Sequence, residues 1–226
     1  MPTSRYERAA RRAGYRVIAG IDEAGRGALF GPVFAAAVVL DPDRPIRGLD
    51  DSKQLAPERR EVLASRIRER AIAWACGASD AFEIDHHNIL QAARLAMRRA
   101  VEQIIPCDYL LVDAVTVDVA IEQKAIIHGD ALSFSIAAAS ILAKVARDAA
   151  LTEWDRVFPE YGLAQNKGYS TPDHIAALER FGPTNLHRFS FEPVRNASRY
   201  QTWMGYPRLR PSSEPPIEQG ELFACL

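Results

Sequence analysis

Cysteine, lysine and long apolar runs are all scarce in this chain of 226 residues. The three cysteines, Cys76, Cys107 and Cys225, are far apart and odd in number. They offer neither a disulfide framework nor a thiolate metal spacing, so a reducing cytoplasm is the expected location. No apolar stretch approaches the ~20 residues of a membrane helix, and the arginine-rich N-terminus lacks the apolar segment of a secretory signal. An excess of charge is missing as well. The formal net charge is -1, which excludes a globally basic nucleic-acid binder and leaves such a role only to a local patch. Hydrophobic residues at 48% and charged residues at 25% describe an ordinary globular protein, able to bury one full core. Lysine occurs only at positions 53, 124, 144 and 167; in a chain so biased toward arginine, these mark places where a compact point charge is wanted.

What is present centres on Arg16 to Gly27, RVIAGIDEAGRG. An apolar run of strand character meets two adjacent carboxylates, Asp22 and Glu23, and then the flexible Gly25-Arg26-Gly27. Carboxylates at a strand exit are oxygen ligands suited to a hard cation such as Mg²⁺ or Mn²⁺. Neighbouring strand residues point to opposite faces, so Asp22 and Glu23 share one site only where the strand twists, bulges or ends. Tyr109 to Ala114 (YLLVDA) repeats the grammar, an apolar strand delivering Asp113. Asp130 follows Gly129 at another element boundary.

Between these acids the pattern alternates strands and helices, an α/β arrangement. Residues 1–15 read as a basic, solvated leader helix, and Gly31 to Leu40 as a strand forming a hairpin with the first. A loop carries Asp51-Ser52-Lys53; Pro57 opens a charged helix, and Ala71 to Gly77 is a third strand. One long helix is expected over Ile84 to Ile105, with Asp85-His86-His87-Asn88 capping its start rather than binding metal. Ser133 to Arg147 is a helix of small residues that puts Ser140 and Lys144 on one face, with Ser135 further round. Asn166 to Thr171 (NKGYST) is a loop presenting Lys167 and Tyr169, and Thr171 caps a helix from Pro172 to Phe181. His187 to Phe191 (HRFSF) interleaves base and aromatic as nucleic-acid surfaces do. Beyond residue 195 the prolines and serines predict a flexible tail.

Taken together, GIDEAGRG, DSKQL, VDA, the Gly129-Asp130 pair, SIAAASILAKVARD, KGYST and HRFSF resemble, in this order, bacterial ribonuclease HII. The resemblance covers residues 16–195 as one catalytic domain, between the leader (1–15) and the tail (196–226). It implies a ribonuclease H-like mixed central sheet flanked by helices, with a small helical C-terminal part. It also implies an endoribonuclease that hydrolyses the RNA strand of RNA–DNA hybrids and single ribonucleotides embedded in duplex DNA. On the same basis the catalytic acids fall on Asp22, Glu23, Asp113 and Asp130. Asp22, Glu23 and Asp113 would be ligands to Mg²⁺ or Mn²⁺. Gly25, Arg26 and Gly27 with Tyr169 would sense the ribose 2′-hydroxyl, and Lys53, Ser140, Lys144, Lys167 and Arg188 would join Arg26 in touching substrate. His128, Asn166 and Phe189 depart from the family pattern and bear on phosphate affinity. Gln219, Leu222 and Phe223 resemble a peptide that docks on the DNA sliding clamp. A monomer is expected. A resolvase or transposase core would share the acids without needing the Gly-Arg-Gly loop or Tyr169, and a binding module with a structural cation is the non-enzymatic rival.

Overall fold

The computed structural model describes residues 2–104 and 106–203, with side chains described through residue 198. In chain order the elements are α1 (Arg5–Arg12), β1 (Ile18–Ala24), β2 (Val33–Val39), α2 (Pro57–Arg70), β3 (Ala73–Ser79), α3 (Ala81–His87) and α4 (Ile89–Glu102). They continue with β4 (Tyr109–Asp113), β5 (Glu122–Ile126), α5 (Gly129–Leu132), α6 (Phe134–Val157), α7 (Leu163–Asn166), α8 (Pro172–Phe181) and α9 (Glu192–Trp203). The strands form one mixed sheet in the order β3-β2-β1-β4-β5. β1 pairs antiparallel with β2 and parallel with β4.

The two faces of the sheet are covered by different helices. Ala19, Ile21, Ala35, Ala37, Leu110 and Val112 pack with α4 residues such as Ala93, Ala96 and Met97. Ala36 and Val38 pack on the other side with α6 residues Ala137 to Ala139 and Leu142 and with Leu63 and Ile67 of α2. Every residue of β2 is buried, which suits the VFAAAVV run, because alanine lets a helix approach from both sides. Glycine does the same at two crossings. A Cβ on Gly20 would lie 2.1 Å from the Ser135 carbonyl carbon at the start of α6, and one on Gly77 2.3 Å from the Ala96 carbonyl oxygen of α4. A third cluster joins Leu29 and Phe30 to Leu151, Tyr161, Leu163 and Leu178, seating α7, α8 and α9 against the end of α6.

Three expectations are corrected. The leader is no solvated helix: Glu7 of α1 is buried and accepts hydrogen bonds from the Ser133 hydroxyl (2.7 Å) and the Ser135 N–H (2.8 Å), while Thr3 forms a β-bridge with Ser133. A carboxylate holding the entry of α6 explains why this helix docks despite its exposed arginines. The long helix over 84–105 is two helices, broken at Asn88, whose φ of 71° stops α3 and whose side chain caps α4. Asp80 and Glu83 start α3 as a capping box, and His86 and His87 close it. Finally, α9 runs from Glu192 to Trp203, across the boundary expected at residue 195.

The Gly20 crossing is testable by urea unfolding. Gly20→Ala should cost about 1–3 kcal/mol, since backbone rather than a flexible side chain must give way. Gly27→Ala, whose Cβ would meet nothing closer than 4.0 Å, should cost less than ~0.5 kcal/mol.

Candidate active site

The site begins with strand register. The last parallel pair between β1 and β4 is Ile21 with Val112, so the next residues, Asp22 and Asp113, leave neighbouring strands side by side, about 4.8 Å apart in the sheet. Ile21 and Val112 face the α4 core. Alternation therefore turns both aspartates to the α6 face, where Asp22 is buried and receives a hydrogen bond from the Ser140 hydroxyl. Glu23 has the opposite parity. Its N–H donates to Asp22 Oδ1 (2.7 Å), and its carboxylate is held by Arg26 at 3.2 Å. It still senses the charge of Asp113 and Lys53, so the end of the strand brings it back to the group. Asp113 Oδ1 accepts the Gly129 N–H at 2.6 Å. Gly129 permits this, because a Cβ there would lie 2.6 Å from Ile136 Cδ1 and 3.2 Å from Asp113 Oδ1. Asp130, one residue on, meets Lys53 Nζ at 3.6 Å.

The acids carry the electrostatic mark of crowding. Burial first, then Glu23 and Asp113, push the Asp22 carboxyl well above the usual carboxylate range. Burial likewise raises Glu23 and Asp113, partly offset by Arg26 and by the Gly129 N–H respectively. Burial pulls Lys53 down, but Asp130, Asp51, Asp22 and Asp113 outweigh it and the net shift is upward.

Beside the acids lies a second group. The Gly25-Arg26-Gly27 turn faces Tyr169, whose Cε1 is 4.0 Å from the position of a Cβ on Gly27. The Leu29 N–H donates to the Gly168 carbonyl at 2.7 Å, and the Arg188 N–H to the Leu29 carbonyl at 2.9 Å, tying segments 25–31, 166–169 and 184–188 together. Two buried guanidiniums complete the bracing. Arg147 donates to the carbonyls of Lys167 (2.9 Å) and Phe30 (3.4 Å) and sits 5.2 Å from the Tyr169 ring centre. Arg188 donates to the carbonyls of Gly31 and Arg26, each at 2.9 Å.

The family model for Ribonuclease HII matches residues 19–194. The chain belongs to the ribonuclease HII family. It is therefore an endoribonuclease that hydrolyses the RNA strand of RNA–DNA hybrids. A ribonuclease HII of Solibacter usitatus is 64% identical over 195 residues, 86% of each chain. The crystal structure of ribonuclease H2 from Pyrococcus horikoshii superposes with a TM-score of 0.70 at 27% identity, covering 82% of this chain and 99% of that one. The ribonuclease HII solved with PCNA from Archaeoglobus fulgidus gives 0.67 at 26%, covering 80% and 96%. The ribonuclease H-like mixed sheet expected from the sequence is the fold observed.

Within this ribonuclease HII scaffold, the candidate substrate residues separate into two sets. Arg26, Lys53 and Tyr169 are accessible. Lys167 is half-buried, with Nζ at 3.2 Å from the Thr152 hydroxyl. Ser140 is buried between Asp22 and the Ser52 hydroxyl, 2.8 Å away, so it orients an acid and anchors the loop that bears Lys53. Lys144 is committed to Asp148 at 2.6 Å, and Arg60 approaches the same carboxylate at 3.7 Å. Arg188 is a correction. It has no exposure, and burial pushes its guanidinium down to about 9. Together with the equally buried His187, it removes the expected base-and-aromatic surface over 187–191, where Phe189 and Ser190 are exposed and Phe191 is half-buried. Of the residues that depart from the family pattern, Asn166 ties its own loop, accepting from the Gly168 N–H and donating to the Tyr161 carbonyl. His128 takes a left-handed turn at φ 56° ahead of Gly129.

Sequence reading passed over Ser52, Glu7 and Arg147. Arg147 alone left a signal, a charge seven residues after Ser140 in a helix rich in small residues. Residues Gln219, Leu222 and Phe223 lie outside the described residues. Among the described residues no helix is long and apolar enough to cross a membrane.

The all-oxygen donor set and the mutual repulsion of its members fit a divalent cation, although among the described residues no three metal-binding side chains are already arranged to hold one. A carboxyl raised in the folded state lowers stability as pH rises from its unfolded value through its folded one, and the penalty persists above that. Asp22→Asn should therefore raise metal-free stability at pH 7 by about 1 kcal/mol, roughly 2–4 °C in thermal melts. It should also shrink the further rise that Mg²⁺ gives the native protein.

Proposed function

We propose that Asp22, Glu23 and Asp113, assisted by Asp130, hold Mg²⁺ or Mn²⁺ and cleave a phosphodiester beside a ribonucleotide, leaving a 5′-phosphate and a 3′-hydroxyl. The observation that carries the reading is the parallel β1–β4 register, which sets Asp22 beside Asp113. A divalent cation bound there supplies charge neutralisation for the attacking and leaving oxygens. The chain's own residues do the rest. Arg26 and Lys53 present exposed cations to phosphates, which positions the duplex without reading its sequence. Lys167 adds a third cation at the edge of the Tyr169 loop. Lys144 and Arg188 support the scaffold through Asp148 and the loop carbonyls.

Only a 2′-hydroxyl distinguishes RNA from DNA at one nucleotide. Gly25 and Gly27 carry no Cβ, so the backbone of this turn can approach a sugar hydroxyl closely, and Gly27 lies beside Tyr169. Tyr169 packs on the ribose and offers its hydroxyl. The substrates are then RNA–DNA hybrid and duplex DNA carrying a single ribonucleotide, and the reading extends to a monomeric enzyme of ribonucleotide excision repair and DNA replication in the cytoplasm. The free Cys76 and Cys107 suit that reducing compartment. The Archaeoglobus relative solved with PCNA supports a second element, docking of Gln219, Leu222 and Phe223 on a sliding clamp.

Cleavage of a duplex with one ribonucleotide, with and without Mg²⁺, tests the assignment, and cleavage unaffected by chelation would overturn it. Asp113→Asn should lower the rate by at least about 10²-fold. Tyr169→Phe should lower kcat/KM on the single ribonucleotide by about tenfold while leaving the Mg²⁺-induced thermal shift intact; equal losses of both would remove Tyr169 from recognition.

A further inference from the structure

Beneath Tyr169 lie two histidines to which the reaction gives no role. His174, in the first turn of α8, and His187 both have 0% exposure. Their Nε2 atoms are 3.2 Å apart. At one end His174 Nδ1 lies 2.9 Å from the Tyr169 carbonyl oxygen; at the other the Thr184 N–H donates to His187 Nδ1 at 3.0 Å.

These ends determine where the protons sit. A carbonyl oxygen only accepts, so His174 Nδ1 carries a hydrogen and, in the neutral ring, Nε2 is bare. A backbone N–H only donates, so His187 Nδ1 is bare and its Nε2 carries the hydrogen, directed at the bare Nε2 of His174. A single pair of tautomers satisfies the chain. Any other sets two hydrogens or two lone pairs against each other. Burial, reinforced by the facing ring of His174, pushes His187 down to about 3, and burial also lowers His174, which favours the neutral form of both rings. Phe30 and Tyr161 enclose His187, with ring centres at 4.8 and 4.9 Å.

We propose that His174 and His187 are positioning residues for substrate recognition, a one-way hydrogen-bond chain from Thr184 through both rings to the Tyr169 carbonyl that sets Tyr169 against Gly27. The proposal rests on the reading of Tyr169 as the sugar-sensing side chain. Tyr169 is 36% exposed, and a tyrosine so open would sample several placements. Here its backbone is held from below by His174 and its ring is flanked by Arg147 at 5.2 Å. Holding the ring in place before substrate arrives removes an ordering cost from binding.

A double-mutant cycle on a duplex with one ribonucleotide separates this role from general stability. His174→Phe should lower kcat/KM by about tenfold in the native background, mostly through KM, and by less than about twofold where Tyr169→Ala is already present. Equal fold-losses in the two backgrounds would overturn the proposal while leaving the role of Tyr169 standing. Full cleavage by Tyr169→Ala alone would overturn both. Nitrogen-15 NMR of the native protein tests the chain even if His174→Phe does not fold. The expected result is hydrogen on Nδ1 of His174 and on Nε2 of His187 at pH 7.5, and the reverse tautomers or a charged ring would overturn the proposal.

Discussion

Two carboxylates placed side by side at the ends of parallel strands impose a cost on the whole molecule. Asp22 and Asp113 repel each other on the α6 face of the sheet, and burial makes that repulsion harder to screen. The surroundings answer with donors of limited strength: a Ser140 hydroxyl, the Gly129 N–H and a largely exposed Lys53. None neutralises the group outright. The remaining deficit of positive charge suits a dication, and it is also why the site is a weak point of the fold in the absence of one.

The recognition side is built on the opposite principle. Arg147 and Arg188 are buried cations that direct their N–H groups to backbone carbonyls, and Arg147 Nε and Arg188 Nη2 find no hydrogen-bond partner among the described residues. Such burial is costly. It joins three loops distant in sequence into one rigid surface, with Tyr169 and Gly27 facing each other across it. A glycine at position 25 is needed for the same reason: a Cβ there would lie 2.0 Å from Arg147 Nε.

α6 links the two halves. Its small residues let it lie on β1 at Gly20, its Ser140 supports Asp22, and its Arg147 braces the Tyr169 loop. Ser140 and Arg147 are two helical turns apart and on the same side. A shift of this helix would therefore disturb acids and recognition loop together. Glu7, by holding the Ser133 hydroxyl and the Ser135 N–H, locks its first turn in place.

Local pattern alone determined the strands that deliver Asp22 and Asp113, the small-residue helix after Ser133, and the cap at Thr171, because strand alternation, residue size and capping are short-range physics. The break at Asn88 was less legible, since a left-handed asparagine inside an apolar helical pattern leaves the periodicity almost unchanged. The fate of the charged residues was decided only by tertiary structure. Arg26 and Arg188 are the same residue type in similarly polar stretches, yet one is exposed and the other has no accessible surface. Burial of a charge depends on which carbonyls distant segments bring to it, and neighbours in sequence carry no record of that.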